Sequence, residues 1–211
     1  MPAFDAILFD FDGVLIDSEP VHWACWAEVL APLGVHLDWE FYRERCIGID
    51  DREMLRMMAT RCEPARDWEE LWGQYPAKRE IFRSRMIGNP AFPQGIAGLL
   101  RSLQGTYKLA VVTSSGRPEI EPMLEAGGLR GYFDTLVCAR DAARHKPAPE
   151  PYLLAAERLG ARTPLVVEDS EAGLASGRAA GFEVLAVKTP EEVPRLVMER
   201  LGIVNGIHAT P

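Results

Sequence analysis

The chain has 211 residues, 47% of them hydrophobic and 26% charged, and its 31 acidic against 23 basic residues leave a net charge of -8. That length suits one large domain or a domain carrying an insert, and the composition argues against global disorder. The acidic balance argues against nucleic acid or an anionic membrane as main partner, although one Lys, Arg or bound cation can still hold a small anion in a local pocket.

The N-terminal MPAFDAILFDFD lacks a basic leader region and its apolar run breaks too soon for a signal peptide. No segment approaches the roughly 20 apolar residues of a membrane helix, so the default location is cytoplasmic. DAILFD, Asp5–Asp10, reads as a buried strand that ends on Asp10, with Asp12 two residues on. From about Glu19 to Met86 no strand is convincing, and segments rich in Trp, Leu, Met, Arg and Glu predict an all-helical insert. His22 and Trp26 fall one turn apart on its first helix, and Arg52 falls in the first turn of another. In that second helix, DDREMLRMMAT, Asp50 is the expected N-cap with Glu53 three residues on. NPAFPQG, Asn89–Gly95, reads as a linker.

After the linker, strands and helices alternate. Strands are expected at KLAVVTSS (Lys108–Ser115), DTLVCA (Asp134–Ala139), PLVVEDS (Pro164–Ser170) and EVLAVKT (Glu183–Thr189). Helices are expected over Pro118–Ala126, Pro149–Leu159, Glu171–Ala180 and Pro190–Arg200, the last with Thr189 as N-cap, Pro190 at N1 and Glu192 as capping-box partner. The C-terminal NGIHATP reads as a loose end. Such alternation predicts an α/β fold, a parallel sheet covered on both faces, built from residues 1–16 and 92–211 with a helical cap at 17–91. Cys25, Cys46, Cys62 and Cys138 form no C-x-x-C pair and are expected to be reduced, mostly buried thiols rather than zinc ligands.

Ligands of an open parallel sheet bind beyond the carboxyl ends of its strands. There the sequence places Asp10 and Asp12, then Thr113, Ser114 and Ser115, then Glu168 and Asp169, with Lys146 in the proline-stiffened loop HKPAPEP. Each has an ordinary alternative: a strand-to-turn junction, a helix cap, a surface lysine. Their convergence on one edge points to a functional site. In an extended segment Asp10 and Asp12 face the same way, and their repulsion is relieved by a divalent cation or a shared proton. An all-oxygen set favours Mg2+, which completes its shell with water and substrate phosphate. A calcium loop fits worse, because Gly13 falls at position four rather than six and Val14 replaces a ligand.

DFDGVLIDS, VVTSS, HKPAPEPY and VVEDSEAGLASGRAAG, in that order, resemble the haloacid dehalogenase superfamily, within it the phosphatases and β-phosphoglucomutase-like enzymes with a helical cap after the first motif. The resemblance implies a doubly wound, Rossmann-like core with the first strand central. It implies Asp10 as nucleophile, and Asp12 as acid then base and carbonyl ligand of Mg2+. Thr113 with Ser114 and Ser115 would be on the phosphate, Lys146 would bridge nucleophile and phosphoryl group, and Asp169 would hold Mg2+ with Glu168 helping directly or through water. His22, Trp26 and Arg52 become candidate substrate contacts in a cap that covers the site. A relative cleaving carbon–halogen bonds needs no second aspartate, so Asp12 favours phosphoryl transfer. The expected function is a Mg2+-dependent phosphatase of a small phosphorylated metabolite, a sugar phosphate above all, acting through an aspartyl-phosphate as a monomer or homodimer. The alternatives are a β-phosphoglucomutase-type mutase and a non-catalytic phosphate-binding module.

Overall fold

The structure is a computed structural model that describes residues 3–47, 49, 51–204 and 207–208. It divides into two compact units, Met1–Asp17 with Asn89–Pro211, and Ser18–Gly88.

The first unit is built on a five-stranded parallel sheet: β1 Ala6–Phe9, β2 Lys108–Val112, β3 Thr135–Val137, β4 Pro164–Glu168 and β5 Glu183–Ala186. The strand order is β3-β2-β1-β4-β5, so β1 is central and the winding reverses between β1 and β4. All four residues of β1 are fully buried, as expected for a strand covered on both faces. Ala6 and Leu8 pack with Ala110, Val112, Val166, Tyr152, Ala155 and Leu159, while the Phe9 ring meets Phe133 edge-on at 6.4 Å. Each large apolar side chain so buried contributes about 1.5–3 kcal/mol. The helices of this unit are α6 Ile96–Leu103, α7 Arg117–Ala126, α8 Glu150–Leu159, α9 Glu171–Ala179 and α10 Val193–Leu201. Where the chain leaves and re-enters this unit, the Asp17 amide donates to the Ala91 carbonyl at 3.2 Å.

The second unit is helical: α1 Glu19–Leu30, α2 Trp39–Arg45, α3 Asp51–Arg61, α4 Trp68–Trp72 and α5 Tyr75–Gly88. Trp26, Leu30, Leu37, Met54, Leu55 and Leu71 form its buried centre. Its shortest helices begin at working caps. Asp38 accepts from the Phe41 amide and Asp67 from the Glu69 amide, each satisfying a donor that the first helical turn leaves unpaired.

Three details depart from the sequence reading. Helix α6 was not expected, although Ile96, Leu99, Leu100 and Leu103 recur at helical spacing and are all buried. The final helix is split. Pro190–Glu192 is a 3-10 turn, Thr189 makes no side-chain cap, and Glu192 accepts from the Lys188 amide instead. The α-helix begins at Val193, and Pro194 in its first turn needs no amide partner there. Within the C-terminal segment Ile207–His208 pairs antiparallel with Ile203–Val204. The rest of that tail, like the expected cap Asp50, lies outside the described residues. All four cysteines are free thiols, and three of them are buried.

Candidate active site

The carboxyl ends of β1, β2 and β4 meet at Lys146. Its ammonium has three protons and three acceptors: Asp10 Oδ1 at 2.7 Å, Glu168 Oε1 at 2.6 Å and the Val112 carbonyl at 3.0 Å. The Tyr152 ring lies 5.0 Å from the same nitrogen, a cation–π placement. Only 6% of the Lys146 side chain is exposed. Lys146 is therefore the hub of the strand ends rather than a surface lysine. In this arrangement all three donors are committed, so contact with a phosphoryl group requires one of these bonds to open.

Glu168, fully buried at the end of β4, is similarly occupied. Oε1 accepts from Lys146 and from the Tyr152 hydroxyl at 3.0 Å. Oε2 accepts from the amides of Asp169 and Ser170 and from the Ser170 hydroxyl, at 2.9–3.1 Å. Ser170 in turn caps α9 by accepting from the Gly173 amide. A Cβ on Gly173 would stand 1.6 Å from Glu168 Oε1, so glycine is what lets the helix start over this carboxylate.

Three carboxylates share one cation. Asp10 is 8% exposed. Burial pushes its carboxyl up to about 7, with Lys146 pulling it back and Glu168 and Asp12 adding to the rise. Burial and then the Glu168 charge raise Asp169 to about 6. Lys146 stays charged: burial opposes its ammonium, but Asp10 and Glu168 hold its pKa above the ordinary value. Oxygens of Asp10, Glu168 and Asp169 lie within 4.8 Å of one another. Gly13 makes room for one of them, since a Cβ there would lie 2.1 Å from Asp169 Oδ2. An all-oxygen cluster that one lysine only partly neutralises fits a hard divalent cation. Within the cluster Asp10 and Asp169 are the better donors, because both Glu168 oxygens already accept from the protein.

A pH dependence of stability follows for the metal-free protein. Asp10 and Asp169 have folded pKa values above their unfolded ones. Their contribution to stability is therefore fully present below the unfolded pKa and lost as pH rises through about 6 and about 7. EDTA-treated protein should melt higher near about pH 5 than near about pH 8, and a divalent cation should narrow that gap by raising the melting temperature at the higher pH. Thermal melts with and without the cation at both pH values check this.

At the end of β2, Thr113 is buried and its Oγ1 accepts from the Ser115 amide at 3.0 Å. Ser114 is exposed. The Ser115 hydroxyl donates to Asp12 Oδ2 at 3.0 Å. Asp12 follows β1 at the start of a tight turn, in which Gly13 has φ +75° and donates to the Ile16 carbonyl.

The helical unit, by itself, holds a second polar cluster. Lys78 is 3% exposed. Its Nζ lies 2.7 Å from His22 Nδ1 and 3.3 Å from Asp51 Oδ2. Burial and the Lys78 charge push His22 down to about 3, so it is neutral, and with the ammonium donating to Nδ1 its proton is on Nε2. Glu19, His22, Tyr42, Cys46, Ile49, Asp51 and Met54 line one cleft. Trp26 is fully buried and spends its indole N–H on Asp51 Oδ1, which makes it a core residue rather than a substrate contact. Arg52 lays its guanidinium over the Trp72 ring at 4.7 Å and is not part of the cleft lining. Lys78 and Tyr152 were missed from sequence. Lys78 had a signal, since it shares a helical stripe with Phe82 and the buried Met86, at i+4 and i+8.

The profile of haloacid dehalogenase-like hydrolases matches residues 7–187. The chain belongs to that family. This hydrolase is 30% identical to fructose-1-phosphate phosphatase YqaB of Escherichia coli (strain K12), over 88% of its own length and 97% of that protein's. It is 33% identical to hexitol phosphatase A of the same organism, over 90% and 85% of the two chains. A solved haloacid dehalogenase-superfamily hydrolase of subfamily IA from Geobacter sulfurreducens superposes with a TM-score of 0.75 at 26% identity, covering 93% of this chain and 97% of the other. The parallel five-stranded sheet with helices around it matches the α/β fold of that family. Among the described residues no helix is long and apolar enough to cross a membrane.

Proposed function

We propose that this hydrolase is a Mg2+-dependent phosphatase of a small phosphorylated sugar or polyol. The observation that carries the reading is the Lys146 hub, which sets a nucleophile-grade carboxylate, Asp10, against one buried cation and beside a metal-fitting acid cluster. Relatives that act on fructose 1-phosphate and hexitol phosphates support the substrate class.

In this reading Asp10 attacks phosphorus, an O–P bond to the carboxylate forms, and the ester P–O bond breaks. Asp12 gives its proton to the departing alkoxide, then takes one from the water that displaces phosphate from Asp10. Lys146 offsets charge between a dianionic ester and Asp10. Thr113 and Ser114 are assigned to phosphate oxygens. Asp10, Asp169 and the Asp12 carbonyl would hold Mg2+, with Glu168 acting mainly through Lys146 and the start of α9. Bound there, Mg2+ would supply neutralisation of phosphoryl charge.

Residues 17–91 are assigned to substrate selection, with His22 as the candidate contact. A mutase must also hold a second phosphate. Among the described residues, the cleft that His22 shares is lined by the carboxylates of Glu19 and Asp51 and by no cation, and Lys78 nearby is already paired with Asp51. That favours hydrolysis over mutase chemistry.

A panel of phosphomonoesters tests the proposal. Release of phosphate from sugar or polyol phosphates is expected, with EDTA stopping turnover and Mg2+ restoring it. An EDTA-insensitive rate would remove the metal, and no release from any ester would remove the phosphatase. Rapid conversion of β-glucose 1-phosphate to glucose 6-phosphate with catalytic glucose bisphosphate, without matching phosphate release, would establish the mutase instead.

A further inference from the structure

Ser115 differs from its neighbours Thr113 and Ser114 in where its hydroxyl goes: it donates to Asp12 Oδ2 at 3.0 Å. Both backbones that meet there are fixed. The Ser115 amide donates to Thr113 Oγ1, and its carbonyl accepts from the Ala139 amide at 3.0 Å. On the other side, the amides of Leu15 and Ile16 converge on the Phe11 carbonyl, Gly13 donates to Ile16, and Asp12 and Ile16 form a single β-bridge. Two anchored backbones leave the carboxyl's rotation as the remaining variable, and the serine hydroxyl acts on it.

Resting on the phosphatase reading above, we infer that Ser115 is a positioning residue that aims the acid–base carboxyl of Asp12, rather than a ligand of the phosphate. In the acid form of Asp12, the oxygen that accepts from Ser115 is the carbonyl oxygen, and the proton is carried by the other. The hydroxyl thereby selects which oxygen faces the departing alkoxide. Proton delivery is sensitive to such placement, because small misalignments of a catalytic group cost large factors in rate. No pairing of this kind is visible in the run VVTSS, since the partners stand 103 residues apart.

The test compares two esters. The phenoxide of 4-nitrophenyl phosphate departs without a proton, whereas the alkoxide of the best sugar phosphate in the panel needs one. Because kcat/KM reports events through the first P–O cleavage, only the second ester should feel a misaimed Asp12. Ser115→Ala is expected to lower kcat/KM for the sugar phosphate about tenfold more than for the aryl ester. Ser115→Thr, which keeps the hydroxyl, is expected to return the ratio to within about threefold of the parent. Equal losses on both esters, as removal of a phosphate ligand or structural damage would cause, overturn the inference. A threonine variant that behaves like alanine overturns it too. Failure of the unsubstituted enzyme on both esters would be seen first, and removes the phosphatase reading and this inference together.

Discussion

Asp10→Asn is expected to lower turnover by at least about 10⁴-fold while leaving the fold intact. The amide is nearly isosteric with the carboxyl and can still accept from Lys146, but it cannot attack phosphorus. The stability effect has a less familiar sign. With its pKa pushed up to about 7, Asp10 is strained toward its neutral form in the metal-free protein. Above that pH a neutral side chain at position 10 relieves buried charge that three nearby carboxylates already supply in excess. The EDTA-treated variant should therefore melt no lower than its parent near about pH 8, and higher if Lys146 is satisfied by Glu168 alone. Retained turnover would remove Asp10 as nucleophile. A clear drop in melting temperature would mean that the ion pair with Lys146 outweighs burial.

Much of the fold could be read because the strands announce themselves as short apolar runs ending in polar residues, and all five end within a few residues of where such runs break. Their order could not be read that way. Burial on both faces says that β1 is interior, but it carries no information about which strands flank it, and its central place came from resemblance alone. The short helix α6 starts directly after Gly95, the last residue of the stretch read as linker, and was passed over although the apolar spacing was present. Pro194 split the last helix because a second proline four residues after Pro190 offers another N-terminal position.

At the site, the types of residue were legible and their partners were not. Lys146 reaches across 136, 34 and 22 residues to its three acceptors, and only the assembled sheet brings these together. Glu168 and Asp169, adjacent in sequence, part in structure. Glu168 points under α9 into five donors, and Asp169 points out toward the space left by Gly13. Alternation along a strand end explains the split, and it could have been applied to this pair as it was to Asp10 and Asp12. Trp26 shows the opposite case, fully buried where a substrate contact was expected, while Arg52 is exposed and stacks on Trp72. Helical spacing placed Trp26 on α1, but spacing does not say which face of an isolated helix is covered by a neighbour.

Replacing the hub itself has the largest expected effect on stability. Lys146→Met keeps the apolar stem but removes the ammonium, leaving Asp10 and Glu168 facing each other in a site where both are nearly sealed from water. The Val112 carbonyl loses its donor as well. Removing one partner from a buried ion pair costs about 3–5 kcal/mol, and here one cation serves two carboxylates. Lys146 is also what lowers the Asp10 pKa against burial, so in the variant that pKa rises further above its unfolded value. The sign then follows from linkage: the missing stability returns as pH falls below the raised pKa and is absent above it. Metal-free Lys146→Met should thus melt markedly lower than the parent near about pH 8 and approach it near about pH 5, with turnover lost at both. Addition of Mg2+ should recover part of the melting temperature, since a cation at Asp10 and Asp169 relieves the same excess charge, but not turnover. A variant as stable as the parent at the higher pH would show that Lys146 is a local contact rather than the group that lets three carboxylates share the strand ends.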